Sequence, residues 1–221
     1  MGMDLNKRIE VMKLNNNYSD SLQKYIPQCG NVQYNSTALP LQPSSISASD
    51  EREIFFQSDP DVGSSKSIVI SQIEAVAQWF LFNMSVSNKK LQKLCYYAYC
   101  WFIVFNNDVE AIEEGRILTL CEDKFQAWIH GPVCPRLYYK YKENGWMDIP
   151  RSERKPQLPQ EIEALLKQVL DAYGGFTADE LENLSHSETP WKNARIGVEA
   201  GEACTEEIST SDILLYYSTL R

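Results

Sequence analysis

Hydrophobic positions fall at helical spacing along most of the chain after residue 66, and polar caps punctuate them. Ser71 with Glu74 forms a capping box ahead of Ile73, Ala77, Phe80, Leu81 and Met84, which predicts a helix. Ser87 can cap a long second helix carrying Leu91, Leu94, Cys95, Ala98, Phe102 and Phe105, ended by the polar run Asn106-Asn107-Asp108. Residues 116–121 (RILTLC) and 124–129 (KFQAWI) read as two short strands joined by Glu122-Asp123. Pro132 and Pro135 are placed to open a third helix through Leu137, Tyr138 and Tyr141, closed by Gly145. The stripe Ile162, Leu165, Leu166, Val169, Leu170 and Tyr173 follows Pro159 and stops at Gly174-Gly175. Thr177 with Glu180 is a second capping box, Thr189-Pro190-Trp191 reads as a cap followed by proline, and Ser209 or Ser211 begins a last helix with Ile213, Leu214 and Tyr217. These elements predict a mainly α, compact single-domain bundle of six or seven helices with one small β-hairpin, and they show no βαβ rhythm and no internal repeat.

The first 66 residues break this pattern. Only isolated apolar sets occur there: Leu5/Ile9/Met12, Leu22/Tyr25/Ile26 and Ile54/Phe55/Phe56, among polar runs such as Asn15-Asn16-Asn17. The reading is an irregular N-terminal extension over 1–66, without a core of its own, ahead of a domain over 67–221. Exposed apolar anchors cost solubility unless they dock. Phe55 and Phe56 are therefore candidate partner-binding residues.

Composition narrows the function classes. The chain of 221 residues carries a net charge of −9. That balance argues against broad nucleic-acid binding, which needs an excess of lysine and arginine. A local exception is 136–155, where Arg136, Lys140, Lys142, Arg151, Arg154 and Lys155 outnumber Glu143, Asp148 and Glu153; such a run most often forms a solvated face. The longest apolar stretch, Leu94 to Phe105, is shorter than the about 20 residues of a membrane span. The charged opening MGMDLNKRIEVMKL has no apolar signal region, so the expectation is a cytoplasmic protein with no membrane partner.

Candidate chemistry is thin. Six cysteines show neither CxxC spacing nor a disulfide framework, and no HExxH or calcium loop occurs, so neither a metal nor a cofactor is expected. A Cys/His site can be drawn from His130 and Cys134, or a His/Glu pair from His186 and Glu188. Each histidine lies at a junction between elements, where an imidazole commonly fixes a turn, so no catalytic residue is expected. Aromatic residues are the stronger oddity: twelve of the 25 fall between 94 and 146. The adjacent pairs Tyr96-Tyr97 and Tyr138-Tyr139 place rings beyond a single helical stripe. They serve either an aromatic core or a tyrosine-rich binding face, and all four are candidate partner contacts.

Four segments in order then form a recognisable set: 88–98 (NKKLQKLCYYA), 125–135 (FQAWIHGPVCP) with Tyr138, 177–191 (TADEL running to SHSETPW), and Glu207-Ile208-Ser209 with Tyr216-Tyr217. Together they resemble the Panacea domain, the SocA-like antitoxin family, over about 70–219. Two cysteines, Cys95 and Cys100, stand where that family more often has leucine and glycine. The resemblance implies a mainly α fold with a small hairpin and a non-enzymatic role. It implies an antitoxin of a type II toxin–antitoxin system that occludes a cognate protein toxin. Partners in the family include translation inhibitors, alarmone-synthetase-like enzymes and membrane-active peptides. An alternative it also implies is an adaptor delivering the toxin to a Clp-type protease; a small Cys/His hydrolase is the third reading. The motif residues Leu91, Gln92, Lys93, Leu94, Trp128, His130, Gly131, Pro132, Pro135, His186, Glu188, Pro190 and Trp191 are expected to hold the scaffold. Gly131 would permit a sharp bend, the prolines would set φ, and Trp191 would plug the core.

Overall fold

A computed structural model describes residues 73–220. Leu5/Ile9/Met12, Leu22/Tyr25/Ile26, Phe55, Phe56 and the Ser71 half of the first capping box lie outside the described residues. Among the described residues there are seven α-helices and two small antiparallel strand pairs.

Helix α1 (Ile73–Asn83) buries Ile73, Val76, Ala77, Phe80 and Leu81, and the Ile73 N–H donates to Asp123 Oδ2 at 3.0 Å. Strand β1 (Val86–Ser87) leads into α2 (Asn88–Asn106), whose first turn is capped by the Ser87 hydroxyl accepting from Lys90 N. Helix α2 is the axis of the bundle. Every residue from Leu91 to Val104 is buried, so this helix has no solvent face over that span. A helix apolar all round belongs inside a core. Tyr96 and Tyr97 are accordingly core residues, which corrects their placement on a binding face: the bundle covers α2 on both sides of the leucine stripe.

The hairpin forms one segment later than the apolar pattern predicts. Strands β2 (Gln126–Trp128) and β3 (Gly131–Val133) pair around the two-residue loop Ile129-His130, with Trp128 opposite Gly131. Residues 116–121 are not a strand, and Pro132 lies in β3 instead of opening a helix. Asn107 explains the first difference. Its side chain accepts from Leu118 N at 2.7 Å and donates to Leu118 O and to Ile103 O, each at 2.8 Å. One amide thus replaces ladder partners for that segment and fastens it to the end of α2. Asn107→Ala is expected to cost about 2–3 kcal/mol, read as a lowered midpoint in urea, because buried backbone groups lose their partners; an unchanged midpoint would show that solvent satisfies them.

Helix α3 (Pro135–Tyr141) runs into a 3₁₀ turn at Lys142–Asn144, which Gly145 ends at φ +57°. Strand β4 (Asp148–Ile149) then returns to pair with β1, Val86 opposite Ile149. Helix α4 (Gln160–Tyr173) buries Ile162, Leu165, Leu166, Val169 and Tyr173 as the stripe predicts. Helix α5 (Ala178–Ser187) opens with both bonds of the Thr177/Glu180 capping box. Helix α6 (Thr189–Ala194) follows after one residue; its N-cap is Glu188 and not Thr189. Helix α7 (Thr210–Ser218), capped by Ser209, packs along α2. Helices α1, α4 and α5 also lie against α2, so the core surrounds this one helix. No helix among the described residues is long and apolar enough to cross a membrane.

Candidate functional site

The motif segments meet at one place, where the first half of α2, the β2–β3 turn and the α5–α6 junction come together. From α2, Gln92 Oε1 accepts from Cys134 N at 2.9 Å, and Lys93 Nζ donates to Pro132 O at 3.1 Å. Leu91 and Leu94, between and beside them, are fully buried. Consecutive polar residues of a helix thus hold the middle of β3 and the Cys134 cap that follows it, and Pro135 then starts α3. Gly131 has φ +91°, and a Cβ there would lie 2.7 Å from Lys93 Cε and 2.8 Å from Ser185 Oγ. Only glycine suits both the backbone and the space.

The α5–α6 junction closes the other side. Glu188 is buried, and its two carboxyl oxygens accept from Tyr97 (3.1 Å) and Tyr217 (2.9 Å). One side chain therefore ties the junction to α2 and α7. Tyr97 in turn stacks on Tyr173 of α4 at 4.0 Å between centroids. Pro190 is buried at the start of α6. Trp191 is half-buried and not a plug in the deep core: its indole stacks on His186 at 3.9 Å and donates to Trp128 O at 3.0 Å, locking the hairpin to α6. Arg195 adds a second tie, donating to Ala127 O at 2.8 Å and Glu202 O at 2.7 Å.

Electrostatics follow from this burial. Desolvation pushes the Glu188 carboxyl up to about 8, against the two tyrosine hydroxyls that pull it down. Burial lowers Lys93 to about 7, with Glu182 opposing. Burial also lowers His186. Outside the core, His130 is exposed at the turn, and its Nδ1 lies 3.1 Å from Glu182 Oε1; Glu182 also pairs with Lys89, which reaches Asp179 at 2.7 Å. Burial raises Glu182, but Lys89 and His130 outweigh it and hold the carboxyl below its usual range.

The polar side chains of this cluster are engaged in tying the elements together. Cys134 is buried with its thiol pushed up by desolvation, whereas a nucleophilic cysteine needs thiolate character and access. His130 faces Glu182 and His186 faces the Trp191 ring, so neither is oriented as a base toward that sulfur. Among the described residues no group of three His, Cys, Asp or Glu side chains is gathered as metal ligands, and the five described cysteines are free thiols.

The candidate partner residues separate. Tyr138 is half-buried with its ring 4.8 Å from Trp128, while Tyr139 is 62% exposed. Two exposed side chains were not distinguished by the aromatic pattern: Trp146 at 90% and Met147 at 57%. Arg195, the C-cap of α6, carries no periodic signal in the sequence, and Ser185 stands in the sequence pattern only as part of the 177–191 motif.

Comparison with known proteins gives this region relatives. Residues 91–192 match the family described as "Antitoxin SocA-like, Panacea domain". The chain is 32% identical over 122 residues to the curated "Antitoxin SocA" of Caulobacter vibrioides (strain NA1000 / CB15N), covering 49% of this chain and 60% of that protein. This chain thus spans less than two thirds of that relative's length. No solved structure matches. The matched range runs from Leu91 to just past Trp191 and takes in the α2, hairpin and α5–α6 parts of the cluster, while Arg195 and Tyr217 lie beyond it; residues 91–192 are thus assigned as a SocA-like Panacea domain.

Proposed function

We propose that the protein is an antitoxin of a type II system, which neutralises a cognate protein toxin in the cytoplasm by direct protein–protein occlusion. The single observation that carries this reading is the Panacea domain itself, whose relative in Caulobacter vibrioides bears the name of an antitoxin. Its inward-turned motif side chains are consistent with a rigid, non-enzymatic scaffold whose surface does the recognising. The toxin is a translation inhibitor, an alarmone-synthetase-like enzyme or a membrane-active peptide. Its contacts are assigned to Phe55 and Phe56 of the 1–66 extension, ahead of the 67–221 domain, and to Tyr138 and Tyr139.

The test is co-expression with each reading frame adjoining the native gene, in a bacterial host with and without its Clp protease. One neighbour should arrest growth alone, and the antitoxin should restore growth equally in both hosts. Rescue that vanishes without Clp would favour the adaptor reading; no toxic neighbour would sink the antitoxin reading. In the full chain, Phe55→Ala with Phe56→Ala should weaken toxin binding by about 30-fold, as loss of an aromatic anchor does. Unchanged affinity by calorimetry would remove the extension from the interface.

A further inference from the structure

Lys93 is a buried amine with little around it to balance a charge. The residue is 1% exposed, and its Nζ donates to the Pro132 carbonyl at 3.1 Å. Among the described residues it makes no other hydrogen bond and no ion pair. The charged groups near it are engaged elsewhere. On α2, Lys89 stands one turn earlier and carries the same sign. On α5, Glu182 pairs with Lys89 and with His130, and His186 stacks on Trp191. At the start of α6 Glu188 turns to Tyr97 and Tyr217, and at its end Arg195 turns to Ala127 O. One carboxylate, Glu182, thus answers Lys89, His130 and the more distant Lys93 together.

The tip of the β2–β3 hairpin covers this amine. A Cβ on Gly131 would stand 2.7 Å from Lys93 Cε and 3.1 Å from Nζ, so the turn lies directly on it. Tip and base of the hairpin are held differently. At the base, Gln92 holds Cys134 N, Ala127 N donates to Glu206 O at 2.9 Å, and Ile208 N donates to Phe125 O at 2.8 Å. At the tip, beyond the strand pairing itself, the ties are Lys93 to Pro132 O and Trp191 to Trp128 O.

We propose that this tip is a proton-driven latch: uptake of one proton by the Lys93 amine shifts the 128–132 turn toward an open state, while the hairpin base and the rest of the bundle stay folded. A neutral amine can lie under the turn with one acceptor. An ammonium needs more acceptors or its own carboxylate, and the closed junction has neither to spare. Opening the turn returns the ammonium to water, at a smaller cost than global unfolding. Burial lowers the amine from 10.5 to about 7, which sets the window. The closed turn is at full strength above 10.5 and weakens as pH falls toward 7; below that the amine is charged in both states. Within the window the opening constant rises about tenfold for each pH unit lost.

Amide hydrogen exchange of the full chain by NMR, from about pH 7.5 to about 9.5, tests this. Exchange is hydroxide-catalysed, so an opening without proton uptake gives a rate that climbs with hydroxide. The Trp128 and Gly131 amides should instead exchange at a nearly constant rate, because the opening constant falls as hydroxide rises. They should also exchange at least about 100-fold faster than the Ala98 amide inside α2, which needs the whole fold to open. Lys93→Met should restore the climb at the tip. Glu182→Gln keeps the lysine but removes the one carboxylate that favours its charge, so the constant range should extend below about pH 7, where that of wild type ends. Tip rates that climb with hydroxide in wild type overturn the proposal. So do tip amides as protected as Ala98, or a Glu182→Gln profile that matches wild type.

Discussion

Glu188→Ala is expected to destabilise the protein by about 3–5 kcal/mol, because it empties a packed site and leaves two buried tyrosine hydroxyls without their acceptor. Glu188→Gln keeps the shape and should cost about 1 kcal/mol at neutral pH, where the raised carboxyl is largely protonated. The pH dependence has a definite sign. A carboxyl raised from its ordinary 4.5 to about 8 keeps its proton in the folded state while the unfolded chain loses it. Its stabilising contribution is therefore complete below about 4.5 and lost as pH rises toward 8, at up to about 1.4 kcal/mol per pH unit. Lys93, lowered from 10.5 to about 7, acts oppositely: its contribution is present above 10.5 and lost as pH falls toward 7. Chemical denaturation between pH 5 and 7, below the lysine window, should show wild-type stability falling with pH and the Glu188→Gln variant flatter. Parallel curves would mean that Glu188 ionises normally in the fold.

Gly131→Ala should cost about 2–4 kcal/mol. The left-handed backbone contributes about 1–2 kcal/mol, and the new Cβ must displace Lys93 and Ser185 inside a closed junction. Gly115 supplies the control: φ is +63° there, but a Cβ would meet nothing within 4 Å. Gly115→Ala should show only the backbone cost, so the difference between the two melting curves isolates the packing at the hairpin. Equal losses would show that Lys93 and Ser185 yield freely and that the junction is loose.

These expectations mark where the sequence was legible. Helices α4, α5 and α7 read correctly because each has one apolar stripe and a local cap, both encoded within a few residues. Helix α2 was found, but its orientation was not, because a helix buried all round has no polar face to report direction. That is why the pattern leaves Tyr96 and Tyr97 open to either core or surface. The 116–121 segment differs for another reason: it is a short apolar run, but Asn107, nine residues before its start, supplies the bonds a partner strand would have made. Strands β1 and β4, two residues each, are too short for any periodicity. The candidate site was legible as four ordered motifs, yet their convergence was not. Nothing in local spacing says that Lys93 reaches Pro132, or that Glu188 turns inward to Tyr97 and Tyr217. Exposure of Trp146 was equally hidden, since an isolated tryptophan reads the same in a core and at an interface.

In the proposed function this Panacea-domain protein binds its toxin directly. Mixing the purified full-length chain with the purified product of the toxic adjoining gene, with no protease present, tests it most directly. The account predicts a stable stoichiometric complex by size exclusion and loss of the toxin's activity in the same mixture. A toxin that elutes alone and stays fully active, although the chain protects living cells, would contradict it.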